Sequence, residues 1–344
     1  MGKTKKRSGG ARVFIAIVAV MLLAVLAYAG YHRFILNDDR GFGGGFLFGG
    51  GDRFPSDEEI ASKGWISPEI IKRYAKEYNV GTEFLSRIFP GKIVYKQGGE
   101  ILYEDTDPNL AKHPYDWGRL YWDGRRPYYG GESEEDGSRT EALFGVDVSR
   151  HQGEIDWKRA AADGVSFAMI RAGYRGYDTG RLLTDECFEQ NMRGASDAGV
   201  KIGVYLFSQA VNETEAIEEA ELVLANIAPY KVDFPVVFDI EEIGGQSART
   251  DALSNEEITD IAIAFCERIG QAGYTPMIYA NPKWFVSRMT LSELEPYDKW
   301  LAQYYRIPAY PYAFSIWQFT DSGAVDGING NVDLNLAFVR NGEI

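Results

Sequence analysis

From Phe144 onward, the chain alternates short apolar runs with stretches in which apolar residues recur at helical spacing. The apolar runs are Phe144–Val148, Phe167–Ala172, Lys201–Phe207, Pro235–Ile240, Pro276–Tyr279, Trp300–Gln303, Ser315–Phe319 and a last one that ends near Asp333. The helical stretches between the early runs are Asp156–Asp163, Thr184–Ala198, Asn212–Ile227 and Ser254–Gln271. This alternation predicts a mostly parallel sheet, and eight strands predict a closed α/β barrel over residues 141–344. Because the helices fade after Tyr279, we expect a TIM-like barrel with fewer than eight helices.

A small α+β region of unknown role is predicted at 56–140, in front of the barrel. A helix is predicted from Pro68 to about Tyr78, because proline is favoured at the first helical position. The runs Ile93–Lys96 and Glu100–Tyr103 flank two glycines and predict a hairpin. The aromatic residues that follow either form a sugar-stacking platform or pack this region onto the barrel, and we favour packing.

The N-terminal segment has the pattern of a membrane anchor. A basic tail at 1–12 precedes an uncharged run at 13–31, and a glycine-rich linker follows at 32–55. At about 1.5 Å per residue, nineteen helical residues nearly match a ~30 Å hydrocarbon core. The basic tail predicts a single-pass protein of the bacterial cell membrane, with the C-terminal domain outside the cytoplasm. The alternative is a cleaved signal peptide and a secreted protein, because Ala27-Tyr28-Ala29 fits a cleavage site.

The charge of the chain excludes one class of partner. Its formal net charge is −14, and residues beyond 51 carry 29 basic and 48 acidic side chains. Phosphate binding needs a basic surface, so nucleic acid is not expected as a partner. Cys187 and Cys266 lack the spacing of a thiolate metal site, and two unpaired thiols are favoured over a disulfide. No catalytic metal or organic cofactor is implied.

Polar residues at the ends of the predicted strands are the candidates for an active site, because barrel active sites lie at the C-terminal strand ends. Asp239 and Glu241 follow the fourth run, and side chains at i and i+2 of a strand share a face. Carboxylates about 6–7 Å apart along a strand do not both ionise easily, so one pKa should rise. The pair then supplies a proton donor and an anion, as glycosidic cleavage requires. Taken alone, the triplet also fits a strand end followed by acidic surface residues.

Two more acids lie in apolar surroundings at predicted strand ends. Asp147 stands in Gly145–Ser149 and Asp333 in Gly330–Asn335. Burying an unpaired charge is costly, so each needs a reason. Each is either a structural aspartate that caps a loop or a member of a functional cluster. Four acids at one barrel mouth favour the cluster.

Five motifs occur in order along the chain. They are GVDVSRHQGEIDW at 145–157, VYLFSQ at 204–209, FDIEE at 238–242, WQFT at 317–320 and VDGINGNVDLNL at 325–336. In their order and spacing they resemble the lysozymes of glycoside hydrolase family 25, the N-acetylmuramidases. The resemblance covers Phe144 to the C-terminus and does not extend to residues 1–140.

The resemblance implies hydrolysis of the β-1,4 bond between N-acetylmuramic acid and N-acetylglucosamine in peptidoglycan glycan strands. By motif position it implies Glu241 as the general acid and Asp239 as the second catalytic carboxylate. Asp147 and Asp333 match two further acids of the family's site. The residues expected to bind substrate are Tyr205, Phe207, Arg171, Tyr279 and Gln318. The chain departs from the family pattern at Phe207, where histidine is frequent, and at Arg171, where lysine is frequent.

Two other functions are compatible with the sequence. A glycosidase for a chitin-like polymer would act on the same 2-acetamido sugars. An inactive or weakly active membrane-tethered protein that binds the wall or acts as a scaffold is the non-enzymatic alternative, and the presence of all four acids argues against it. Two mechanisms also stay open. Either the 2-acetamido group of the substrate attacks the anomeric carbon, or a carboxylate activates water directly.

Overall fold

The computed structural model describes residues 68–77, 79–132, 139–245 and 247–340. The predicted basic tail, membrane segment and glycine-rich linker lie outside these residues. Among the residues described, no helix is long and apolar enough to cross a bilayer. The chain divides into residues 1–71 and 72–344, and the second unit holds every described strand.

Two helices and a hairpin precede the barrel. They are α1 (Pro68–Glu77), α2 (Thr82–Ile88), β1 (Lys92–Gln97) and β2 (Glu100–Asp105). β1 pairs antiparallel with β2, which confirms the predicted hairpin. The connecting residues Gly98 and Gly99 have φ of 56° and 82°. Two-residue hairpin turns need this positive φ, and only glycine adopts it without strain.

A second hairpin extends the barrel sheet. It consists of β3 (Leu120–Asp123) and β4 (Arg126–Glu132), and β4 pairs with the first residues of β5 (Arg139–Val148). Tyr115 and Trp117 pack against Phe314 and Phe338 on the barrel, with ring centroids 4.1–6.3 Å apart. Packing onto the barrel is therefore confirmed for Tyr115 and Trp117, whereas Tyr121 and Tyr128 stay exposed and stack on each other. The domain division at 140/141 stays a prediction, although β5 runs through it.

The other strands and helices belong to the barrel region. The strands are β6 (Phe167–Arg175), β7 (Leu182–Thr184), β8 (Lys201–Phe207), β9 (Val236–Asp239), β10 (Pro276–Ala280), β11 (Asp298–Ala302), β12 (Ile316–Gly323) and β13 (Val332–Arg340). The helices are α3 (Trp157–Ala162), α4 (Phe188–Asp197), α5 (Glu213–Ile227), α6 (Asn255–Gln271) and α7 (Pro282–Ser287). The order β5-β13-β12-β11-β10-β9-β8-β6, with β6 paired to β5, closes eight of the described strands into a barrel. The prediction of a closed barrel with few helices is confirmed.

The last strand departs from the predicted TIM-like type. β13 runs antiparallel to both β12 and β5, whereas a TIM barrel has eight parallel strands. Asp333 was also expected at the end of a strand, but it lies at the start of β13. Both predictions were wrong for one reason. The connection at 324–331 is shorter than the dozen or more residues that a parallel crossover needs, so the chain returns antiparallel.

The barrel strands are apolar on both faces, because one face packs inside the barrel and the other packs under the helices. Phe167 and Met169 belong to the inner cluster. Gly145 and Gly203 make room for them: an added Cβ would lie 2.4 Å from the Phe167 ring and 2.6 Å from the Met169 sulfur, respectively. The inward positions further along the same strands are polar and form the floor of a cleft.

The two cysteines are both free thiols. Cys266 is fully buried on α6, whereas Cys187 is half-buried just before α4.

Candidate active site

One cleft of ≈ 600 Å³ opens at the C-terminal ends of the parallel barrel strands. All nine residues that the sequence singled out line it: Asp147, Arg171, Tyr205, Phe207, Asp239, Glu241, Tyr279, Gln318 and Asp333. They come from seven barrel strands and from the segment that follows β9. Successive inward positions of neighbouring strands bring them together, since alternate residues of a strand share a face.

Asp147 and Asp333 face each other across the antiparallel pair of β5 and β13. Asp147 is buried, and its Oδ2 accepts hydrogen bonds from Gln318 Nε2 at 2.9 Å and from Asn335 Nδ2 at 2.8 Å. Burial and the charge of Asp147 raise the pKa of Asp333 to about 9. Burial also raises the pKa of Asp147, and the hydrogen bonds from Asn335, Gln318 and Asp333 oppose that rise. The hydrogen bond between the two carboxyl groups adds to the rise at Asp333, so Asp333 holds the proton that the pair shares.

Asp239 ends β9 and is buried between Phe207 of β8 and Tyr279 of β10, its partners in register. Its Oδ1 is buried and has no hydrogen-bond partner among the described residues. Burial raises the pKa of Asp239 well above its ordinary value, and the nearby Glu241 adds to the rise. Because an unsatisfied buried oxygen is costly, this atom is poised to accept a hydrogen bond from a ligand.

Glu241 lies two residues beyond β9 and is partly exposed to the cleft. Burial, and after it the charge of Asp147, raises the pKa of Glu241 from 4.5 to about 7. The carboxyl group is therefore about half protonated near neutral pH. A group in this state can both donate and accept a proton under ordinary conditions.

A hydrogen-bonded set of side chains holds the floor of the cleft. The hydroxyl groups of Tyr279 and Tyr304 both donate to Gln318 Oε1, at 2.9 and 2.8 Å. Trp300 Nε1 donates to Asn335 Oδ1 at 2.8 Å. Both amides in turn donate to Asp147, so the tyrosines and the tryptophan orient the groups that bind this carboxylate.

Three of these residues were not among the predicted site residues: Asn335, Tyr304 and Trp300. Asn335 had a usable signal, because it lies two residues after Asp333 and therefore on the same face of the strand. Tyr304 lies beyond the end of β11, in a segment without periodicity. Its contact with Gln318 depends on the pairing of β11 with β12, which the sequence does not display.

Arg171 places a positive charge near the buried acids. Its Nε donates to Asp185 Oδ2 at 2.7 Å, and the Asp185 side chain is completely buried. The positive charge of Arg171 opposes the rise in the pKa of Asp239. Among the residues that the structure describes, no group of His, Cys, Asp and Glu side chains is arranged to hold a metal ion.

The arrangement combines a proton donor with a second carboxylate that has a free oxygen, in a cleft with aromatic walls. The Tyr205 and Tyr279 rings contact Trp300 edge-on, with centroids 5.9 and 4.7 Å apart. This is the chemistry needed to protonate a leaving oxygen while a second group assists at the neighbouring carbon.

Comparison with known proteins gives consistent matches to the barrel. The family model for glycosyl hydrolases family 25 matches residues 146–328. The uncharacterized protein YegX of Escherichia coli (strain K12) is 32% identical over 203 residues, 56% of this chain and 69% of YegX. Lysozyme M1 of Streptomyces globisporus is 28% identical over 208 residues, 57% of this chain and 68% of that protein. The spore cortex lytic enzyme SleM of Clostridium perfringens aligns with a TM-score of 0.50 at 23% identity, covering 57% of this chain and 67% of SleM. This last likeness concerns the fold alone.

Proposed function

Because the chain belongs to family 25 of the glycosyl hydrolases and is a glycoside hydrolase, we propose that it is a peptidoglycan muramidase. The bond cleaved is the β-1,4 bond between N-acetylmuramic acid and N-acetylglucosamine. The observation that carries the proposal is the pair Asp239 and Glu241, a buried carboxyl group with an unpartnered oxygen beside an acid with a pKa of about 7. Relatives named as a lysozyme and as N,O-diacetylmuramidases support this substrate class.

Glu241 is the proposed general acid, which protonates the glycosidic oxygen as the bond breaks. A general acid works best when its pKa lies near the working pH, because it is then protonated yet gives up its proton readily. Glu241 has such a pKa and reaches the open part of the cleft. The shared proton of Asp147 and Asp333 leaves that pair one negative charge, which helps to keep Glu241 protonated.

Asp239 is the proposed second catalytic carboxylate. Its unpartnered Oδ1 accepts a hydrogen bond either from the N–H of the substrate 2-acetamido group or from a water molecule. In the first route the acetamido oxygen attacks the anomeric carbon, and in the second the water attacks directly. NMR of the product anomer that forms first separates the two, because an α product rules out the acetamido route.

The other predicted residues have proposed roles in holding the sugar. Tyr205, Phe207 and Tyr279 offer aromatic surface along the cleft, and Gln318 offers an amide next to Asp147. Arg171 sets the local charge on the β6 side. Phe207, in place of the histidine frequent in the family, replaces a polar contact with an apolar one.

The function is tested by the new chain ends that cleavage releases. We expect the full chain to release reducing ends from purified peptidoglycan, which yield muramicitol after borohydride reduction. Glucosaminitol would contradict the assigned bond. Equal cleavage of chitin oligosaccharides would favour the chitin-type glycosidase, and wall binding without new reducing ends would favour the scaffold protein.

A pH profile tests the role of Glu241. An acid that acts in its protonated form is active below its pKa, so kcat/KM should fall above about pH 7, tenfold per unit. The charge of Asp147 helps to raise this pKa, so Asp147→Asn should move the basic limb of the profile to lower pH. Measuring kcat/KM between about pH 4 and pH 9 checks both expectations. A flat profile above pH 7 would exclude Glu241 as the acid.

The proposed place of action is outside the cytoplasm, with residues 13–31 as the anchor and the region at 56–140 between the anchor and the barrel. The basic tail and the uncharged run support this proposal. The net charge of −14 gives no electrostatic attraction to an anionic wall. A tether would supply the proximity that charge does not.

A further inference from the structure

One wall of the cleft is basic, although the chain as a whole is acidic. Arg150 and His151 follow β5, Arg171 lies on β6, and Arg181 lies between β6 and β7. All four line the cleft. We call these four residues the cationic rim. The proposed catalytic roles use none of them except Arg171.

Three members of the cationic rim, Arg150, His151 and Arg171, lie close to one another. The guanidinium carbons of Arg150 and Arg171 lie 5.2 and 5.3 Å from the centre of the Tyr174 ring, and Arg150 Nη1 donates to the Tyr174 hydroxyl at 3.2 Å. Burial, and after it the charges of Arg171 and Arg150, lowers the pKa of His151. His151 is therefore mostly uncharged at neutral pH, and the positive charge of the rim comes from its three arginines.

The acids near the rim neutralise this charge only in part. Asp185 is buried and holds Arg171, while Glu186 lies 3.3 Å from Arg150 with a side chain 73% exposed. Neither Asp185 nor Glu186 lines the cleft, whereas Asp178 does. Arg181 is exposed and forms no ion pair within the described parts of the chain. An exposed pair such as Arg150 with Glu186 is weak, so the guanidinium groups of Arg150 and Arg181 can both bind an anion of a ligand.

Hydrogen bonds from residues outside the loop fix the backbone of the loop that carries Arg181. Arg175 is buried, and its Nη1 donates to the carbonyl of Gly180 at 3.0 Å, while its Nε binds Glu219 at 2.8 Å. The backbone N–H of Arg249 donates to the carbonyl of Tyr177 at 3.2 Å. A loop anchored in this way loses little conformational freedom when a ligand binds.

We propose that the cationic rim binds a carboxylate group carried by the glycan substrate. Arginine forms paired hydrogen bonds with carboxylates, and the rim supplies three arginines beside the acidic floor. Peptidoglycan strands carry carboxylates on their stem peptides, or on the lactyl group where the peptide has been removed. A chitin chain carries neither. The rim therefore selects wall glycan over chitin, a choice that the four acids do not make, and this inference rests on the proposed function.

The test compares matched strands with and without carboxylates. The substrates are solubilised glycan strands with stem peptides, the same strands with all carboxyl groups converted to amides, and strands freed of peptides by an amidase. We expect Arg150→Gln/Arg181→Gln to lower kcat/KM on the peptide-bearing strands about tenfold, mainly through KM, since each exposed ion pair accounts for up to about fivefold. Amidation should lower the activity of the unchanged protein by a similar factor, and should lower that of the double variant no further.

The control is Arg193→Gln, which removes an exposed arginine that pairs with Glu189 and does not line the cleft. It should match the unchanged protein on all three substrates. If the double variant is also less active than the unchanged protein on peptide-free strands, the bound group is the lactyl carboxylate. If the two proteins are equally active on those strands, the bound group belongs to the stem peptide. The proposal is overturned if amidated and native strands are cleaved equally well, or if the double variant loses the same factor on both.

A binding measurement distinguishes refutation of carboxylate binding by the rim from refutation of the proposed muramidase function. Binding of the three strand preparations is also measured on Glu241→Gln, which should bind without cleaving. A roughly tenfold weaker Kd for amidated strands supports the rim even if no strand is hydrolysed, with exposed pairs of the usual strength. An unchanged Kd would refute the rim even if hydrolysis is normal.

Discussion

Replacing Glu241 with glutamine will abolish measurable cleavage of peptidoglycan while leaving the fold intact. A positioned general acid contributes about 10²–10⁴-fold to the rate, and glutamine has no proton to give to the leaving oxygen. Glutamine keeps the size of the side chain, so KM should change little. The measurement is kcat for the release of reducing ends at about pH 6, where Glu241 is mostly protonated.

The same substitution has a defined effect on stability. Burial, and after it the charge of Asp147, raises the folded-state pKa of Glu241 from 4.5 to about 7, so the stabilising contribution is complete below 4.5 and is lost as the pH rises through 7. The loss amounts to about 3 kcal/mol at 1.36 kcal/mol per pKa unit. Glutamine does not ionise, so Glu241→Gln should unfold at the same or a higher temperature than the unchanged protein at about pH 8.

The neighbouring residue provides the control. Glu242 is exposed and pairs with Lys283 at 2.5 Å, so Glu242→Gln removes an adjacent carboxylate of the same length. It should keep nearly normal activity, because exposed pairs are worth little. Near-normal activity of Glu241→Gln, or equal loss in both variants, would refute the proposed acid.

Replacing Arg175 with alanine will lower the free energy of unfolding by about 3–5 kcal/mol, the usual cost of breaking a buried ion pair. The Arg175 side chain is 4% exposed and that of Glu219 is fully buried, with Arg175 Nε 2.8 Å from Glu219 Oε1. Arg175 also donates to the carbonyls of Gly180 and Glu215. Its removal leaves these oxygens without a donor and Glu219 without its cation. Urea unfolding near neutral pH measures the change.

The effect of Arg175→Ala should also reach the cleft. Glu219 accepts a hydrogen bond from the Ser208 hydroxyl at 2.6 Å, and the N–H of Ser208 donates to the carbonyl of Asp239 at 2.7 Å. Loosening this chain moves the ends of β8 and β9. We therefore expect a lower kcat in this variant even at temperatures where it is fully folded.

Two matched variants separate the loss of charge pairing from the loss of volume. Arg193→Ala removes an exposed arginine from an i,i+4 pair with Glu189 and should cost less than about 0.5 kcal/mol. Arg175→Met/Glu219→Leu removes both buried charges and should recover part of the stability, because apolar replacement of a buried pair is often neutral, whereas the carbonyls of Gly180 and Glu215 still lack their donor. A small effect of Arg175→Ala, or no recovery in the double variant, would contradict the argument.

The positions of these strands and helices could be predicted from the sequence because the patterns that indicate them are local. β8 was predicted at Lys201–Phe207 and lies there, and α6 lies within the predicted helical stretch Ser254–Gln271, with Ser254 as its N-cap. Strands buried on both faces are continuously apolar, and helices that cover them are apolar at helical spacing. Each pattern is complete within a dozen residues, so no distant contact is needed to recognise it.

The direction of β13 could not be predicted from its apolar pattern, because the direction depends on how the chain closes the barrel. A short apolar run has the same pattern whether its strand runs parallel or antiparallel to its neighbours. The feature that indicates the antiparallel direction is the length of the connection at 324–331, which is too short for a parallel crossover. Asp333 was expected at the end of a strand, but it lies at the start of β13. It still reaches the cleft because β13 is antiparallel and therefore starts at the end of the barrel where the parallel strands finish.

By itself the sequence determined which side chains face one end of the barrel, since alternation along each strand orders them. Together with the resemblance to family 25, this alternation named nine of the residues that line the cleft. Only the tertiary structure decided their electrostatic states. The shared proton of Asp147 and Asp333, the pKa of about 7 at Glu241 and the free oxygen of Asp239 all arise from strand pairing and burial. Those are contacts between residues far apart in the chain, and ionisation responds to such neighbours and to the loss of water rather than to local sequence.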